Sequence, residues 1–259
     1  KLGLRLGKEE NIPVVATMHS QFKKDFKRYA KSEHLSLFMT KQLMKTFNEC
    51  NECWAVNKKM SELFQEYGYA GTPLVMHNAT DMEPVKNLLE ARKIVNKKYK
   101  LDDKEILLLF VGRINILKNI LFIVEVLNVL KQRNFKFKML FVGSGSDMGE
   151  LKRKVKEYKL TNEVKYAGMV KDRHLLASIY ARSDLFIFPS MYDASSLVQI
   201  EAASQHTPTI FLENSITSST TKNNVNGYIG PHNAELFAKK IISIFHNPKN
   251  YQKVSENAY

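Results

Sequence analysis

Two carboxylates flank a predicted helix start. Their spacing would allow each to bind hydroxyl groups of a ligand whose anionic group lies at the helix start. Asp193 follows the apolar run 185–188, and Glu201 lies eight residues further on, about a turn and a half into the helix. This arrangement could hold a sugar hydroxyl at Asp193, a nucleotide diphosphate at the helix start and ribose hydroxyls at Glu201. The alternative is an acidic residue that complements the helix dipole, plus an unrelated Glu.

The start of the same helix is a candidate anion site. Ser195 or Ser196 would cap the helix with its side chain. The backbone N–H groups of Ser196, Leu197 and Val198 would then point outward, and helix N-termini of this kind bind phosphate.

A second set of candidate phosphate ligands follows the apolar run 106–111. Gly112 permits a tight exit from the predicted strand, and Arg113 and Lys118 place two cations near the start of the next helix. Two cations and a helix N-terminus form a plausible diphosphate clamp. The alternative is that both side chains are simply solvated.

Two glycines and one histidine follow other predicted strands. Gly143 and Gly145 lie in a turn that leads into a helix, but Met148 stands where the dinucleotide fingerprint has its third glycine. The turn is a candidate for close approach to a phosphate. His19 follows the first predicted strand, where a histidine is either a ligand or a core or turn residue.

The elements that must position these residues alternate between apolar strands and helices. Most strands are apolar on both faces, which is typical of parallel strands covered by helices on both sides. A doubly wound parallel-sheet α/β fold is therefore predicted, with ligands at the carboxyl ends of the strands. Strands are predicted at 13–17, 53–57, 73–77, 106–111, 137–142, 163–167, 184–188 and 207–212, and helices at 35–50, 60–67, 119–133, 148–159, 172–180, 196–204 and 234–245.

A change in composition between residues 78 and 104 predicts a domain boundary, because this stretch is polar and rich in Lys and Glu. We expect an N-terminal domain at 1–83, a linker region at 84–104, a C-terminal domain at 105–246 and a C-terminal segment at 247–259. The first domain has only three predicted strands, so it is expected to be partial or unusually small.

Composition narrows the class of protein. The chain has 259 residues, 44% of them hydrophobic, and a formal net charge of +13, which exclude a disordered tail. Its apolar runs are too short to span a bilayer and its first residues lack a secretory signal, so a cytoplasmic protein is expected. Cys50 and Cys53 form a lone C-x-x-C without further zinc ligands at the usual spacing, and we interpret them as reduced thiols.

Several short segments occur together in an order and spacing that is more specific than any one of them. The first domain contributes Ile-Pro-Val-Val-Ala-Thr-Met-His at 12–19, Tyr-Gly-Tyr at 67–69 and Asn-Ala-Thr-Asp at 78–81. The second contributes Phe-Val-Gly-Arg at 110–113, Lys-Asn at 118–119, Val-Gly-Ser-Gly at 142–145, Val-Lys-Tyr-Ala-Gly at 164–168, Tyr-Ala-Arg-Ser-Asp-Leu-Phe-Ile-Phe-Pro-Ser at 180–190, Glu-Ala-Ala-Ser at 201–204, Thr-Pro at 207–208 and Asn-Val-Asn-Gly-Tyr at 224–228. Together they resemble the retaining, family-four glycosyltransferases of GT-B fold, which have two Rossmann-type domains.

The resemblance implies transfer of a hexose from a UDP- or GDP-linked nucleotide diphosphate sugar to a hydroxyl acceptor, with retention of configuration, in cell-envelope lipid or polysaccharide biosynthesis. The partial domain 1–83 would lie on the acceptor side, and the acceptor would be a glycan or a lipid-linked molecule. The domain 105–246 would bind the nucleotide-sugar donor. No cofactor and no metal are implied.

The resemblance also implies roles for single residues. Arg113 and Lys118 would bind the donor diphosphate and offset its charge as the glycosidic bond breaks. Glu201 would hold the ribose, His19 would lie near the donor sugar, and Asp193 would touch the transferred sugar. His19, Arg113, Lys118 and Asp193 are thus the candidate catalytic residues.

This sequence departs from the family's pattern at the helix start, where Asp193 replaces a usual Glu and Ser195 and Ser196 replace a usual Phe-Gly. The shorter carboxylate and the missing glycine both alter the approach to the donor. Contacts around Val170 and beyond Ser190 would select its base and sugar. The whole candidate donor site comprises Gly112, Arg113, Lys118, Gly143, Gly145, Val170, Asp193, Ser195, Ser196, Leu197, Val198 and Glu201.

Aromatic residues alternate with basic ones just after His19. Phe22, Phe26 and Tyr29 have helical spacing, and five Lys and Arg residues lie between and after them. Such a stripe suits an anionic membrane surface and a lipid-linked acceptor, with peripheral association on the inner face of the membrane. The alternative is an ordinary helix with aromatic residues in the core and lysines in water.

Hypotheses from other functional classes stay open. A sugar-nucleotide epimerase could share the architecture and the diphosphate site, and a non-catalytic basic binding module would account for the charge. A degenerate transferase is a further alternative. Nucleic acid is not expected as a partner, because no recognition helix, zinc finger or RNA-binding signature is present and the positive charge is dispersed.

Overall fold

A computed structural model describes residues 1–258 and divides the chain into two compact units. The first unit contains residues 1–78 and 192–195, and the second contains 79–191 and the chain from 196 onward. The strands are β1 (Val15–Met18), β2 (Glu52–Ala55), β3 (Leu74–Val75), β4 (Leu107–Val111), β5 (Lys138–Val142), β6 (Val164–Gly168), β7 (Leu185–Phe188), β8 (Thr209–Leu212) and β9 (Tyr228–Gly230). The helices are α1 (Leu2–Glu9), α2 (Phe22–Ala30), α3 (Glu33–Asn48), α4 (Lys58–Glu66), α5 (Leu88–Tyr99), α6 (Ile120–Gln132), α7 (Met148–Glu157), α8 (Arg173–Arg182), α9 (Leu197–Ser204), α10 (Ala234–Phe245) and α11 (Pro248–Ala258).

The second unit is built on a six-stranded parallel sheet in the order β6-β5-β4-β7-β8-β9. One of its two central strands, β4, is buried at all five positions. Successive side chains of β4 enter two different core clusters, with Leu108 and Phe110 in one and Leu107 and Leu109 in the other. Helices α6, α7 and α10 contribute to the first cluster, and α5, α8 and α9 contribute to the second. This double covering confirms the predicted doubly wound α/β fold.

The first unit has a three-stranded parallel sheet in the order β1-β2-β3. The basic aromatic stripe forms helix α2, whose aromatic side chains divide between two environments. The Phe22 ring stacks on Phe26 and contacts Phe47 of α3, whereas Tyr29 is 74% exposed. Two aromatic residues of the stripe are therefore packing residues, and one lies on the surface.

All the predicted strands and helices are confirmed, with each end within two residues of its predicted position. The structure adds α1, β9 and α11, which the hydrophobic pattern did not predict, because β9 has only three residues and the two terminal helices bury one residue each. It also contains α5 within the range 84–104 that we interpreted as a linker, and this stretch belongs to the second compact unit, where α5 packs on α8.

One buried cation ties several elements of the second unit together. The Arg182 side chain at the end of α8 is fully buried, and its Nη1 pairs with Asp184 Oδ2 at 3.3 Å. The same Asp184 oxygen accepts a hydrogen bond from the backbone N–H of Leu107, at the start of β4. Burial lowers the pKa of Arg182 and raises the pKa of Asp184, and their ion pair opposes both shifts. Arg182 also donates to Asn96 Oδ1 (2.7 Å), to the Asp102 carbonyl (3.0 Å) and to the Glu105 carbonyl (3.0 Å).

We expect Arg182→Gln to lower the free energy of unfolding by about 3 kcal/mol or more, because it leaves a buried carboxylate and several carbonyls without their cation. Chemical denaturation followed by circular dichroism measures this change. The control is Arg153→Gln, which removes an exposed guanidinium paired with Glu150 and Glu157 and should hardly change the unfolding midpoint. Equal effects of the two substitutions would contradict the proposed importance of the buried network.

Candidate functional site

The loops that follow β4 and β5 are in direct backbone contact at the carboxyl edge of the second unit's sheet. The backbone N–H of Ile114 donates to the Ser144 carbonyl at 3.0 Å, and that of Asp147 donates to the Ile114 carbonyl at 3.1 Å. A Cβ atom on Gly145 would lie 2.2 Å from the Ile114 oxygen. A Cβ on Gly143, which has φ +131°, would lie 1.9 Å from the Gly112 oxygen. The close approach of two loops thus gives both glycines a structural role, and their contact with a phosphate stays a prediction.

The two candidate diphosphate cations lie after β4. Arg113 is exposed and forms no ion pair within residues 1–258. Lys118 is half-buried, and its Nζ lies 5.7 Å from the centre of the Phe188 ring at the end of β7. The next residue, Asn119, precedes α6 and donates from Nδ2 to the Pro189 carbonyl at 3.4 Å. The loop after β4 therefore reaches the end of the neighbouring strand β7, as parallel strands that share an edge require.

Glu201 lies in α9, and only 11% of its side chain is exposed. Its Oε2 accepts a hydrogen bond from the Tyr180 hydroxyl at 3.2 Å, and its Oε1 lies 3.8 Å from Arg173 Nη1. Arg173 Nη2 also donates to Asp81 Oδ1. Burial, together with the nearby Glu201 charge, raises the pKa of Tyr180 well above its usual value, so this hydroxyl stays protonated and donates.

The partners of Glu201 were not among the residues that the sequence singled out as functional. Tyr180 belongs to the segment 180–190 that carries the family resemblance, but nothing in that segment relates it to a carboxylate in α9. Arg173 and Asp81 are exposed charged residues, and although Asp81 ends the segment 78–81 that carries the resemblance, no local pattern relates either residue to Glu201. Their contacts with each other and with Glu201 arise only from the packing of α8, α9 and the stretch before α5.

The start of α9 differs from the prediction in its capping. Ser196 occupies the N-cap position, but its side chain forms no capping hydrogen bond. The Ser195 hydroxyl instead accepts a hydrogen bond from Asn78 Nδ2 at 3.2 Å, so the prediction of a side-chain cap by either serine was wrong. The first-turn N–H groups of α9, including those of Leu197 and Val198, are consequently not satisfied by a serine hydroxyl.

The segment 192–195 clusters with the first unit although it lies next to β7 in the sequence. Amide side chains of the first unit hold its backbone. Gln21 Nε2 donates to the Tyr192 carbonyl at 2.7 Å, and Asn57 Nδ2 donates to the Ala194 carbonyl at 2.8 Å. Both amide side chains are buried, and neither was among the predicted site residues.

The predicted site residues are consequently divided between the two units. His19, Asp193 and Ser195 belong to the first unit, where His19 is exposed directly after β1. Val170 follows β6 and packs against the core cluster that contains α8. The second unit holds Val170 and the remaining predicted residues, which are Gly112, Arg113, Lys118, Gly143, Gly145, Ser196, Leu197, Val198 and Glu201.

The two cysteines lie at the junction of α3 and β2. Cys50 Sγ is 3.6 Å from the Thr46 carbonyl and Cys53 Sγ is 3.5 Å from the Phe47 carbonyl, so both sulfurs contact the last turn of α3. Burial raises the pKa of both thiols, which disfavours the reactive thiolate. These contacts favour the interpretation of Cys50 and Cys53 as structural thiols.

Residues 91–259 match the family described as "Glycosyl transferases group 1". This match covers more than half of the chain, and the chain therefore belongs to that glycosyltransferase family. The resemblance inferred from the short segments is confirmed.

The chain is also similar to curated proteins, at about a quarter sequence identity. The chain is 24% identical to alpha-monoglucosyldiacylglycerol synthase of Acholeplasma laidlawii over 100% of this chain and 67% of that protein. It is 26% identical to the Streptococcus pneumoniae protein of the same name over 89% of this chain and 54% of that one. The chain thus spans about two thirds and about half of the length of these two relatives.

Solved structures of glycosyltransferases share the fold. Sucrose-phosphate synthase from Thermosynechococcus elongatus superposes with a TM-score of 0.82 at 24% identity, over 99% of this chain and 64% of that one. Anabaena HepE, solved in complex with UDP and glucose, superposes with a TM-score of 0.79 at 18% identity, over 99% of this chain and 68% of that one. The GT-B fold class expected from the sequence is confirmed.

The contact between the loops after β4 and β5 predicts that alanine destabilises the protein at Gly145, whereas at Gly149, outside this contact, alanine should stabilise it. Gly145→Ala should lower the free energy of unfolding by about 2 kcal/mol, because its Cβ forces the two backbones apart. Gly149→Ala in α7 meets no atom within 4 Å and should raise it by about 0.5 kcal/mol through helix propensity. Thermal melts of both variants would test this, and a neutral Gly145→Ala would contradict the proposed contact.

Proposed function

We propose that this chain carries the donor site of a retaining glycosyltransferase, which moves a hexose from a UDP- or GDP-linked donor to a hydroxyl acceptor. The observation that supports it is the chemistry gathered in the second unit. Arg113 and Lys118 lie after β4, and the almost buried carboxylate Glu201 lies in α9, whose N-cap residue Ser196 forms no side-chain capping hydrogen bond within residues 1–258. Cations suit a diphosphate, and a carboxylate suits the hydroxyl groups of a ribose.

In this proposal the chemical work is electrostatic. The leaving diphosphate gains negative charge as the glycosidic bond breaks, and the cations of Arg113 and Lys118 offset that charge. Backbone N–H groups at Leu197 and Val198 would contribute to the same anion site. No protein nucleophile, cofactor or metal is part of the proposed reaction.

His19 and Asp193 would contact the transferred sugar. Within the first unit, the side chains of Gln21 and Asn57 hold the backbone around Asp193. These two buried side-chain amides donate hydrogen bonds to the carbonyls of the residues on either side of Asp193. They therefore restrict the backbone that carries the Asp193 carboxylate. This restriction supports a role for Asp193 in touching the sugar, although its side chain is one carbon shorter than that of the Glu usual in the family.

We also propose a lipid-linked acceptor and peripheral association with the inner face of a membrane from the cytoplasm. Four lysines and two glutamates line a groove of about 410 Å³ between α2, α3 and α4, namely Lys23, Lys24, Lys27, Lys41, Glu33 and Glu66. Glu33 pairs with Lys23 and Lys27, and these lysines lower the pKa of Glu33 to about 2. The excess of cations in the groove favours an anionic partner.

Exposed aromatic residues lie on the same two helices. Tyr29 of α2 is 74% exposed and Phe38 of α3 is 58% exposed. Aromatic residues next to lysines suit the boundary between headgroups and acyl chains. Within residues 1–258, no helix combines the length and apolar character needed to cross a membrane. The two curated relatives described above are named for a glucosyldiacylglycerol product, which is consistent with a lipid acceptor for this chain.

The donor site is tested by calorimetric titration with UDP and with GDP. We expect micromolar binding of one nucleotide by the wild type and a tenfold or larger loss of affinity in Arg113→Ala and in Glu201→Ala, because the first loses a phosphate ligand and the second a ribose ligand. Lys104→Ala is the control, because it removes an exposed cation on the amino side of β4, away from the carboxyl edge.

A wild-type protein that binds neither nucleotide would exclude the proposed donor site. Binding that Lys104→Ala weakens as much as Arg113→Ala would show that the attraction is only a long-range effect of the net charge of +13.

Membrane association is tested by co-sedimentation with anionic and with neutral liposomes at low salt. We expect binding to the anionic vesicles alone, and a severalfold loss of binding in the double variant Lys27→Glu/Lys31→Glu at the end of α2. The matched control is Lys58→Glu/Lys59→Glu at the start of α4 in the same unit. Equal losses in both double variants, or no binding by the wild type, would contradict a specific role for α2.

A further inference from the structure

The carboxylate of Glu201 is restrained at both of its oxygens by residues of the second unit. The Tyr180 hydroxyl donates to Oε2 at 3.2 Å, and Arg173 Nη1 lies 3.8 Å from Oε1. The first contact is a hydrogen bond, whereas the second is an ion pair longer than a hydrogen bond. The carboxylate therefore has one oxygen with a fixed donor and another held mainly by charge.

This arrangement leaves acceptor capacity for a ligand. An ionised carboxylate has about four lone-pair sites, and Tyr180 uses one of them. A ribose diol presents two neighbouring hydroxyl donors, which need acceptors in a fixed orientation. A Glu side chain that rotates about three torsions in the unbound protein must lose that freedom when the diol binds, and this loss weakens binding.

We infer that Tyr180 and Arg173 are positioning residues, which hold the Glu201 carboxylate in the orientation that a ribose diol requires before the nucleotide arrives. This inference rests on the proposed function, because it assumes that Glu201 meets the ribose of a nucleotide donor. It assigns to α8 a part in the recognition of ribose that no local motif indicates.

The packing of the Tyr180 ring does not by itself account for the hydrogen bond from its hydroxyl to Glu201. Its ring packs on Phe186 in the core, with ring centres 5.9 Å apart, and apolar packing of this kind needs no hydroxyl. Tyr228 is also almost fully buried, and within the described residues its hydroxyl has no hydrogen-bond partner. A tyrosine buried in this unit does not have to find a partner, yet the Tyr180 hydroxyl is directed to Glu201.

Arg173 is itself held in place. Its Nη2 donates to Asp81 Oδ1, while its Nη1 faces Glu201. The guanidinium is planar and rigid, so fixing one nitrogen orients the other. Asp81 lies in the stretch through which the chain enters the second unit before α5. The exposed pair Asp81 and Arg173 therefore restrains Glu201 from the surface, whereas the buried Tyr180 restrains it from the core.

The test compares the affinity for UDP with that for 2′,3′-dideoxy-UDP, or the two guanosine nucleotides if the wild type prefers GDP. The dissociation constant of the dideoxy nucleotide divided by that of the natural nucleotide is a ratio that measures recognition of the ribose diol. We expect Tyr180→Phe to reduce this ratio about threefold or more, with little change in the affinity for the dideoxy nucleotide. Tyr228→Phe, which removes a buried hydroxyl without a partner among the described residues, should leave the ratio unchanged.

Arg173→Gln is the second variant, and its exposed position makes correct folding the expected outcome. It should also reduce the ratio, about twofold to threefold. Lys171→Gln is the matched control, because it removes the same charge from an exposed position two residues away in the sequence. A general effect of positive charge would change the affinity for both nucleotides equally in both variants, and that result would overturn the role of Arg173.

A double substitution shows whether Tyr180 acts through Glu201. In a Glu201→Ala background, Tyr180→Phe should have no further effect on the ratio, because the carboxylate that it orients is absent. A wild type that discriminates between the nucleotides, and loses this in Glu201→Ala but not in Tyr180→Phe or Arg173→Gln, would overturn the inference alone. A wild type that binds neither UDP nor GDP would overturn the proposed function, and the inference would fall with it.

Discussion

The second unit depends on the buried ion pair between Arg182 and Asp184, because that pair fixes helix α8 on the sheet. The guanidinium at the end of α8 and the carboxylate before β7 meet next to the first residue of β4. The same helix carries Tyr180 and Arg173, which contact Glu201. A costly buried charge at one end of α8 thus stabilises the element whose other residues orient the candidate ribose ligand.

The parallel sheet imposes a second constraint, which decides where phosphate ligands can be. The loops that follow β4, β5 and β7 leave the sheet at the same edge, so they must pack closely against one another there. Close contact between the loops after β4 and β5 requires glycine at 143 and 145. The loop after β4 can consequently stay near the sheet and present Arg113 and Lys118, and the packing requirement and the proposed chemistry favour the same sequence.

In the first unit, hydrogen bonds from amide side chains hold the backbone of the segment 192–195. Gln21 and Asn57 hold carbonyls of a segment that is more than 130 residues away in the sequence. Buried amides need such partners, because an unsatisfied buried donor is costly. Asp193 and the rest of the segment 192–195 are consequently part of the first unit, although the chain on both sides of this segment belongs to the second.

The sequence by itself determined most of the secondary structure, the doubly wound fold and the family, because apolar strands buried on both faces and short glycine-rich turns leave local patterns. It did not predict β9, the terminal helices or the packing of α5, since each buries few residues or is too short to show a period. It selected Glu201 but neither Tyr180 nor Arg173, and it wrongly gave the start of α9 a serine cap. Only the tertiary structure decided these contacts, because they join side chains that are distant in the sequence and depend on how α8, α9 and the segment 192–195 pack.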